Sequence, residues 1–282
     1  MPALLDSPQS SEIAYLGPQG SFAHMVAKQR YPKNPLVPLR SVTEVFDFLQ
    51  THEQGKGIVP IENSSGGLIV PTVDGIIDNA LSVIIEEELS IDVRLALLGR
   101  KGEAIRTVFS HFAPLHHCES FLKANYPAAK AVACASTSCA AEEASKDKNA
   151  AAIGPIVNAE LYDLEVIEYP ILKDVPNVTQ FYVVGHTRQN AASAAKTALV
   201  VELPNQAGSL CRFLEPFAQN LVNLTRIQSR PIIGEPNTYR FLIEIRGNTG
   251  ESSVKQALQS AVAVATHVYD VGSFPVRDRY QS

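Results

Sequence analysis

Cysteine is scarce in this chain. Four residues of 282, Cys118, Cys134, Cys139 and Cys211, lie scattered through apolar surroundings. So few do not make a disulfide framework; they fit buried thiols in a reducing cytosol. Cys134 and Cys139 lack CxxC spacing. The adjacent His116, His117 and Cys118 would point in different directions from a helix, and no second ligand cluster follows, so no metal site is expected. Long apolar runs are missing too, since none approaches the length that spans a bilayer. Positive charge is not in excess: 24 Lys and Arg stand against 29 Asp and Glu, a net charge of −5. That argues against a nucleic-acid or anionic-membrane surface. The opening stretch MPALLDSPQSSE has neither a basic n-region nor an apolar core, so no secretory leader is expected and the cytoplasm is the expected compartment.

What is present is a globular composition, 45% hydrophobic and 19% charged, over a length that suits one large or two medium domains. Residues 1–12 read as a flexible tail. From Ile13 to about residue 167 strands alternate with helices, which predicts an α/β fold with a largely parallel sheet. Between the β-rich runs Ser82 to Ile85 and Ile91 to Leu98, the acidic triplet Glu86, Glu87 and Glu88 reads as a solvated turn. Residues 187–195 are polar and Ala-rich, a linker by composition. A second unit follows: strand from Thr197, helix from Ser209 to Gln219, strands Leu224 to Arg230 and Tyr239 to Arg246, helix from Glu251, strand from Thr266. This is βαββαβ, the ferredoxin-like split unit. Its sheet is expected to keep one open face and to pair with a copy of itself.

Three strand-to-helix turns stand out chemically. In GIVPIENSSGGLIVPT (Gly57 to Thr72) a strand runs into Glu62, Asn63, Ser64 and Ser65 and then two glycines, which permit φ > 0 and close backbone approach. In GPQGSF a turn leads to Ser21, a helix N-cap by position. Ser136 and Thr137 occupy the same place before Ala140. Such turns aim backbone N–H groups at anions and lie where open α/β sheets bind ligands, although many bind nothing. Ser41 and Glu44 have capping-box spacing. Thr179, at a strand start, is by itself only a good β-former.

The order of these segments resembles the prephenate dehydratase family, of the bacterial type in which an ACT regulatory domain follows the catalytic one. The matching stretches are YLGPQGSF (Tyr15 to Phe22), VPIENSSGG (Val59 to Gly67), Ser110-His111 with Cys118, STSCAA (Ser136 to Ala141) and NVTQF (Asn177 to Phe181). In the second unit they are AGSL (Ala207 to Leu210), NLTRIQSRP (Asn223 to Pro231) and GSFP (Gly272 to Pro275). The resemblance implies a two-lobed catalytic domain over 13–186, like type II periplasmic binding proteins, with the active site between lobes, and an ACT domain over 196–282. It implies a carbon–oxygen lyase that converts prephenate to phenylpyruvate, for phenylalanine biosynthesis, without metal or organic cofactor. L-Phenylalanine is the implied effector, and a homodimer or homotetramer through the ACT domains the implied assembly.

The resemblance also assigns residues. Hydroxide leaves poorly, so a proton donor is needed, and Thr179 maps onto it, with Glu62, Asn63 and Ser64 beside it. Glu62 either hydrogen-bonds the ring alcohol or braces its loop. Substrate contacts map onto Gln19, Gly20, Ser21, Ser65, Ser136, Thr137, Gln180 and Phe181. The phenylalanine site maps onto Asn205, Ala207, Gly208, Ser209, Leu210, Gln228, Ser229, Arg230 and Pro231. The chain departs from the family where Gln180 replaces an Arg, which would fork onto a substrate carboxylate, and at Phe112, Ala113, His117, Ala207, Ser209 and Gln228. Arg226 and Arg230, four apart on a strand, share a face. The alternatives are an arogenate dehydratase, a decarboxylase that leaves the ring unaromatised, and an inactive amino-acid sensor.

Overall fold

The computed structural model describes residues 11–173, 175–189 and 193–282. Residues 1–10 of the expected tail, 190–192 of the expected linker, and Asp174 lie outside them.

The first lobe is built from β1 (Ile13–Leu16), α1 (Phe22–Arg30), β2 (Leu36–Leu39), α2 (Val42–Thr51), β3 (Lys56–Asn63), β4 (Gly67–Leu68), α3 (Val70–Asp78) and β5 (Ile84–Asp92). The chain then crosses to a second lobe: β6 (Leu95–Gly99), β7 (Thr107–Ser110), α4 (Phe112–His117), α5 (Glu119–Asn125), β8 (Lys130–Ala133), α6 (Thr137–Ser145), β9 (Ala150–Gly154), α7 (Asn158–Leu161) and β10 (Glu165–Ile171). It returns as β11 (Val178–Gly185). The two crossings run side by side, with Val93 N–H donating to the Asn177 carbonyl at 2.7 Å. A two-segment hinge of this kind leaves a cleft between lobes.

The C-terminal unit comprises β12 (Lys196–Glu202), α8 (Ser209–Gln219), β13 (Leu224–Pro231), β14 (Tyr239–Arg246), α9 (Ser252–Val262) and β15 (His267–Phe274). A last short strand, β16 (Tyr280–Gln281), goes back to the first lobe and pairs with β5.

The sheet of the first lobe has the order β16-β5-β11-β3-β1-β2, with β4 on β3; that of the second lobe is β10-β6-β9-β7-β8. Neither is largely parallel, contrary to expectation. β1 runs parallel to β2 and β3, but β11 is antiparallel to both of its neighbours, β3 and β5. The physical reason is long-range: β11 re-enters from the other lobe and fills the gap between two strands laid down before the crossing.

The acidic triplet is not a turn. Glu86, Glu87 and Glu88 lie within β5 and are 1%, 5% and 3% exposed. Burial of three carboxylates requires partners, and each has one. Glu86 meets Lys56, Glu87 takes Arg30 and Arg277 at 2.7 Å each, and Glu88 takes Lys196 at 2.6 Å. Burial, the largest influence on Glu87, would raise its pKa, but the hydrogen bonds from Arg30 and Arg277 outweigh it and hold the carboxyl at about 2.

The C-terminal sheet, β13-β14-β12-β15, alternates along β12 as a two-faced strand should. Leu199 and Val201 join Phe213, Phe217, Val254 and Ala257 under the two helices. Ala198 and Val200, with Leu242 and Phe274, instead join the core of the first lobe beside Tyr182, Val184 and Ile85. The face expected to be open is therefore covered by the first lobe, because its apolar side chains match those on the back of that sheet. Of the cysteines, Cys118 is buried, Cys134 and Cys139 are half-buried, and Cys211 is exposed, so the expectation of buried thiols fails at Cys211 on α8. Among the described residues no helix is long and apolar enough to cross a membrane.

Candidate active site

A cavity of ≈ 340 Å³ opens between the lobes. Its walls come from the ends of strands and the starts of helices, as expected for a ligand cleft of this fold. Ser21 caps α1, its Oγ accepting from His24 N–H at 3.2 Å and donating to the Leu16 carbonyl at 3.1 Å. Ser136 caps α6, its Oγ accepting from Cys139 N–H at 3.0 Å. Both line the cavity, along with Thr137, Ser65 and Phe181. The serine hydroxyls serve first as caps, so what these turns present to a ligand is mainly the positive end of each helix.

The centre of the arrangement is Asn63, the last residue of β3. Its Oδ1 accepts from Ser65 N–H at 2.9 Å and Gly66 N–H at 2.7 Å. Two backbone donors on one atom fix which way the amide points. Its Nδ2 must then face β11, where it donates to Thr179 Oγ1 and Asn177 Oδ1, each at 2.8 Å. Thr179, only 8% exposed, thus receives a hydrogen bond on its oxygen and keeps its own proton. Thr179, Asn177 and Asn63 all line the cavity. Ser64 supports the loop from outside: its Oγ accepts from Val178 N–H at 2.9 Å and its N–H donates to the Val178 carbonyl at 2.9 Å.

Several expected contacts are placed elsewhere. Gln19 is exposed and does not line the cavity. Gly20 N–H is taken by His24 Nδ1 at 3.2 Å. Gly20 has φ +84, and a Cβ there would collide with Asn158 Oδ1 of the second lobe, so its role is a tight turn and a close approach between lobes. Ser64 is likewise outside the lining. Glu62 and Gln180 are the main corrections. Successive residues of a strand face opposite sides, so with Asn63 and Thr179 facing the cleft, Glu62 and Gln180 face the C-terminal sheet. There Arg226 of β13 donates to both: Nη1 to Glu62 Oε2, and Nη2 to Gln180 Oε1 at 3.0 Å. Gln180 is thus not positioned to take a ligand carboxylate in the cleft.

This back face forms a buried ionic cluster. Arg226 Nε donates to Glu244 Oε1 at 2.5 Å, and Tyr182 Oη donates to the same oxygen. Lys196 Nζ lies 2.6 Å from Glu88 and 3.4 Å from Glu244. Three carboxyl groups (Glu62, Glu88 and Glu244) face two cations, Arg226 and Lys196. The deepest of them, Glu244, is pushed up to about 9 by burial, with Glu88 and Glu62 adding to it.

Residues that the sequence did not place in the site complete the cavity. Arg40 is the one Arg or Lys among the described residues lining it, and His111 and His117 line it too. Burial pushes His111 below the usual imidazole range. Arg40 sits just before Ser41, the N-cap of α2, a fourth strand-to-helix turn. It was hidden because Pro38 disguises β2, which is tolerated as an edge strand.

In the C-terminal unit, Asn205, Ser209 and Leu210 line a cavity of ≈ 130 Å³ with Tyr239 and Phe241. Gly208 is the left-handed N-cap of α8, and the Ala207 carbonyl accepts from Arg212 Nη1 at 3.1 Å. Gln228, Ser229, Arg230 and Pro231 lie on β13 and are not part of that lining, though Ser229 and Pro231 are the cross-strand partners of Phe241 and Tyr239. Arg230 Nε donates to Asp74 of α3 at 2.5 Å, so Arg226 and Arg230 both face the first lobe.

Two α/β lobes closing on a cavity at their helix starts, with a βαββαβ unit docked behind one wall, define a two-lobed cleft protein carrying an ACT-type domain. The family model described as prephenate dehydratase matches residues 13–189, and that described as ACT domain matches 197–263. The chain belongs to the prephenate dehydratase family. It is 31% identical over 278 residues to a bifunctional chorismate mutase/prephenate dehydratase of Pseudomonas aeruginosa, covering 98% of this chain and 76% of that protein. It is also 31% identical over 273 residues to a prephenate dehydratase of Lactococcus lactis, covering 94% and 98% respectively. The crystal structure of a prephenate dehydratase from Arthrobacter aurescens in complex with L-Phe superposes with a TM-score of 0.85 at 28% identity, over 94% of this chain and 89% of that one.

Proposed function

We propose that this chain converts prephenate to phenylpyruvate, with Thr179 as the proton donor to the departing hydroxyl. The observation that carries this reading is the Asn63–Thr179 hydrogen bond at 2.8 Å, in which Asn63 is the donor and the Thr179 proton is left for the cavity. Prephenate loses its ring carboxylate as carbon dioxide. The electrons of the broken carbon–carbon bond enter the ring, which becomes aromatic and expels the hydroxyl. One proton taken up at that oxygen completes water and balances the reaction. A Thr hydroxyl is a weak acid, so its contribution is a directed hydrogen bond in a site shielded from solvent. The Asn63 amide steadies the Thr179 oxygen as charge develops on it.

The carboxylates are held by the positive starts of α1 and α6, by Ser65 and Thr137, and by the Arg40 guanidinium, which supplies the charge that position 180 does not. Phe181 and the apolar wall formed by Leu16, Val93 and Leu95 seat the ring. The cavity at Asn205, Ser209 and Leu210 takes L-phenylalanine as effector, completed by a second copy of the chain that pairs through the ACT domain. The expected compartment is the cytosol.

The test is a prephenate turnover assay on the purified chain that reads phenylpyruvate, with and without phenylalanine, together with the mass in solution by light scattering. Turnover inhibited by phenylalanine in a dimer or larger is the expected result. Loss of prephenate without phenylpyruvate would replace this reading with decarboxylation that leaves the ring unaromatised.

A further inference from the structure

The Thr179–Asn63 contact sits at the end of the β3–β11 ladder. Asn63 is the final residue of β3, and Thr179 is the second of β11. Their rung and the next, Gln180 opposite Glu62, are separated from the remaining ladder by a bulge between Gln180 and Phe181. Ser64 and Val178 exchange two more hydrogen bonds just beyond them, so this short stretch is paired but is set apart in register from the rest of the ladder by the bulge. Yet the donor geometry needs the two strands held to a few tenths of an ångström, since hydrogen bonds weaken quickly with misalignment.

One side chain spans these two rungs from behind. Arg226 is only 6% exposed at its side chain. Its Nη1 holds Glu62 on β3, its Nη2 holds Gln180 on β11 at 3.0 Å, and its Nε is anchored to Glu244 of β14 at 2.5 Å. A planar guanidinium offers these donors in a rigid fork, so the two strands are fixed relative to each other and to the C-terminal sheet at once. Glu62 and Gln180 are the immediate chain neighbours of Asn63 and Thr179, and rigid peptide units carry any movement of one to the next.

We propose that Arg226 is a positioning residue for the reaction: it staples the last two rungs of β3 and β11 and thereby aligns Asn63 with Thr179 on the opposite face. The proposal rests on the dehydratase reading for its kinetic test, but not for its structural one. A movement of β13 that withdrew this fork would release the donor pair without touching the cleft.

Three variants test it: Arg226→Met, Arg226→Lys and Glu62→Gln. In Arg226→Met, kcat is expected to fall about tenfold to a hundredfold, the scale of one charge-assisted hydrogen bond, with KM changed less than about threefold. Arg226→Lys keeps the charge but loses the fork, so it should recover only part of the rate. Glu62→Gln, at a half-exposed side chain, leaves folding intact and should lower kcat in the same sense by less. The readout independent of activity is the Asn63 side-chain amide by NMR, whose hydrogens should be protected from exchange in the wild type and lose protection in Arg226→Met. If Arg226→Met does not fold, Glu62→Gln carries both readouts. Unchanged kcat per folded molecule, or a fall in kcat with Asn63 protection intact, overturns the proposal. A wild-type chain that turns over no prephenate sinks the dehydratase reading, while the Asn63 signal still decides the role of Arg226.

Discussion

The two faces of the β3–β11 strand pair differ sharply. Towards the cleft stand Asn63, Thr179 and Phe181, with no charge among them and one hydrogen-bond donor to spare. Towards the C-terminal sheet stand Glu62 and Gln180, bound into a cluster with Arg226, Glu244, Lys196 and Glu88. The residues alternate along the same few positions of chain, so the difference is one of side, not of sequence neighbourhood. Under the proposed function, a neutral face next to a reacting anion would leave its field to be shaped by helix starts and by Arg40. The ionic face is satisfied internally and fixes geometry. In the proposed reading, positional precision and chemical function are divided between the two sides of one ribbon.

Thr179→Ala should have the largest effect, because it removes the donor and leaves the back of the ribbon untouched. Turnover should fall about 10²–10⁴-fold with little change in melting temperature; a near-normal rate would break the contrast between faces. Glu87→Gln probes burial of charge in the middle of β5. The carboxyl is at about 2 in the folded chain against 4.5 as its ordinary value. Its contribution is therefore complete above pH 4.5 and is lost as pH falls towards 2. The variant should lose on the order of 2–3 kcal/mol near neutrality and show a flatter stability profile across that window, read by denaturant unfolding.

Asn63→Asp reverses one hydrogen bond on the cleft face. An aspartate can only accept, so the Thr179 proton would turn towards it, and kcat should drop about tenfold to a hundredfold. A retained rate would mean that the direction of that bond is immaterial. The smallest effect is expected from Gln180→Arg. Judged from sequence, an Arg at this position would grip a substrate carboxylate. On the back face it places a second guanidinium beside Arg226, so KM for prephenate should stay within about twofold while stability falls by about 1–2 kcal/mol. Clearly tighter prephenate binding would show that position 180 reaches the cleft.

Much of the local structure could be read from single residues. Ser21, Ser41 and Ser136 cap their helices as their spacing predicts, since a cap is a contact over three residues. Helix α8 and strand β14 begin and end where periodicity puts them. What was not legible is long-range. Three consecutive glutamates look solvated until Arg30, Arg277, Lys56 and Lys196 are brought to them from distant parts of the chain. The direction of β11 depends on where the chain re-enters the first lobe. The facing of Glu62 and Gln180 was within reach: once Asn63 and Thr179 are assigned to one side of a strand, their neighbours belong to the other. Reading that segment as a loop concealed the rule.

The final strand carries a practical consequence. β16 pairs with β5, Arg94 N–H donates to Ser282 Oγ at 2.7 Å, and Tyr169 Oη donates to the Ser282 carbonyl at 2.7 Å. An excised catalytic fragment cut within 187–195 would lose Arg277 from Glu87 and expose the β5 edge to self-association. An affinity tag fused after Ser282 would press on both lobes. For protein engineering, the two domains are two in sequence but interlocked in space.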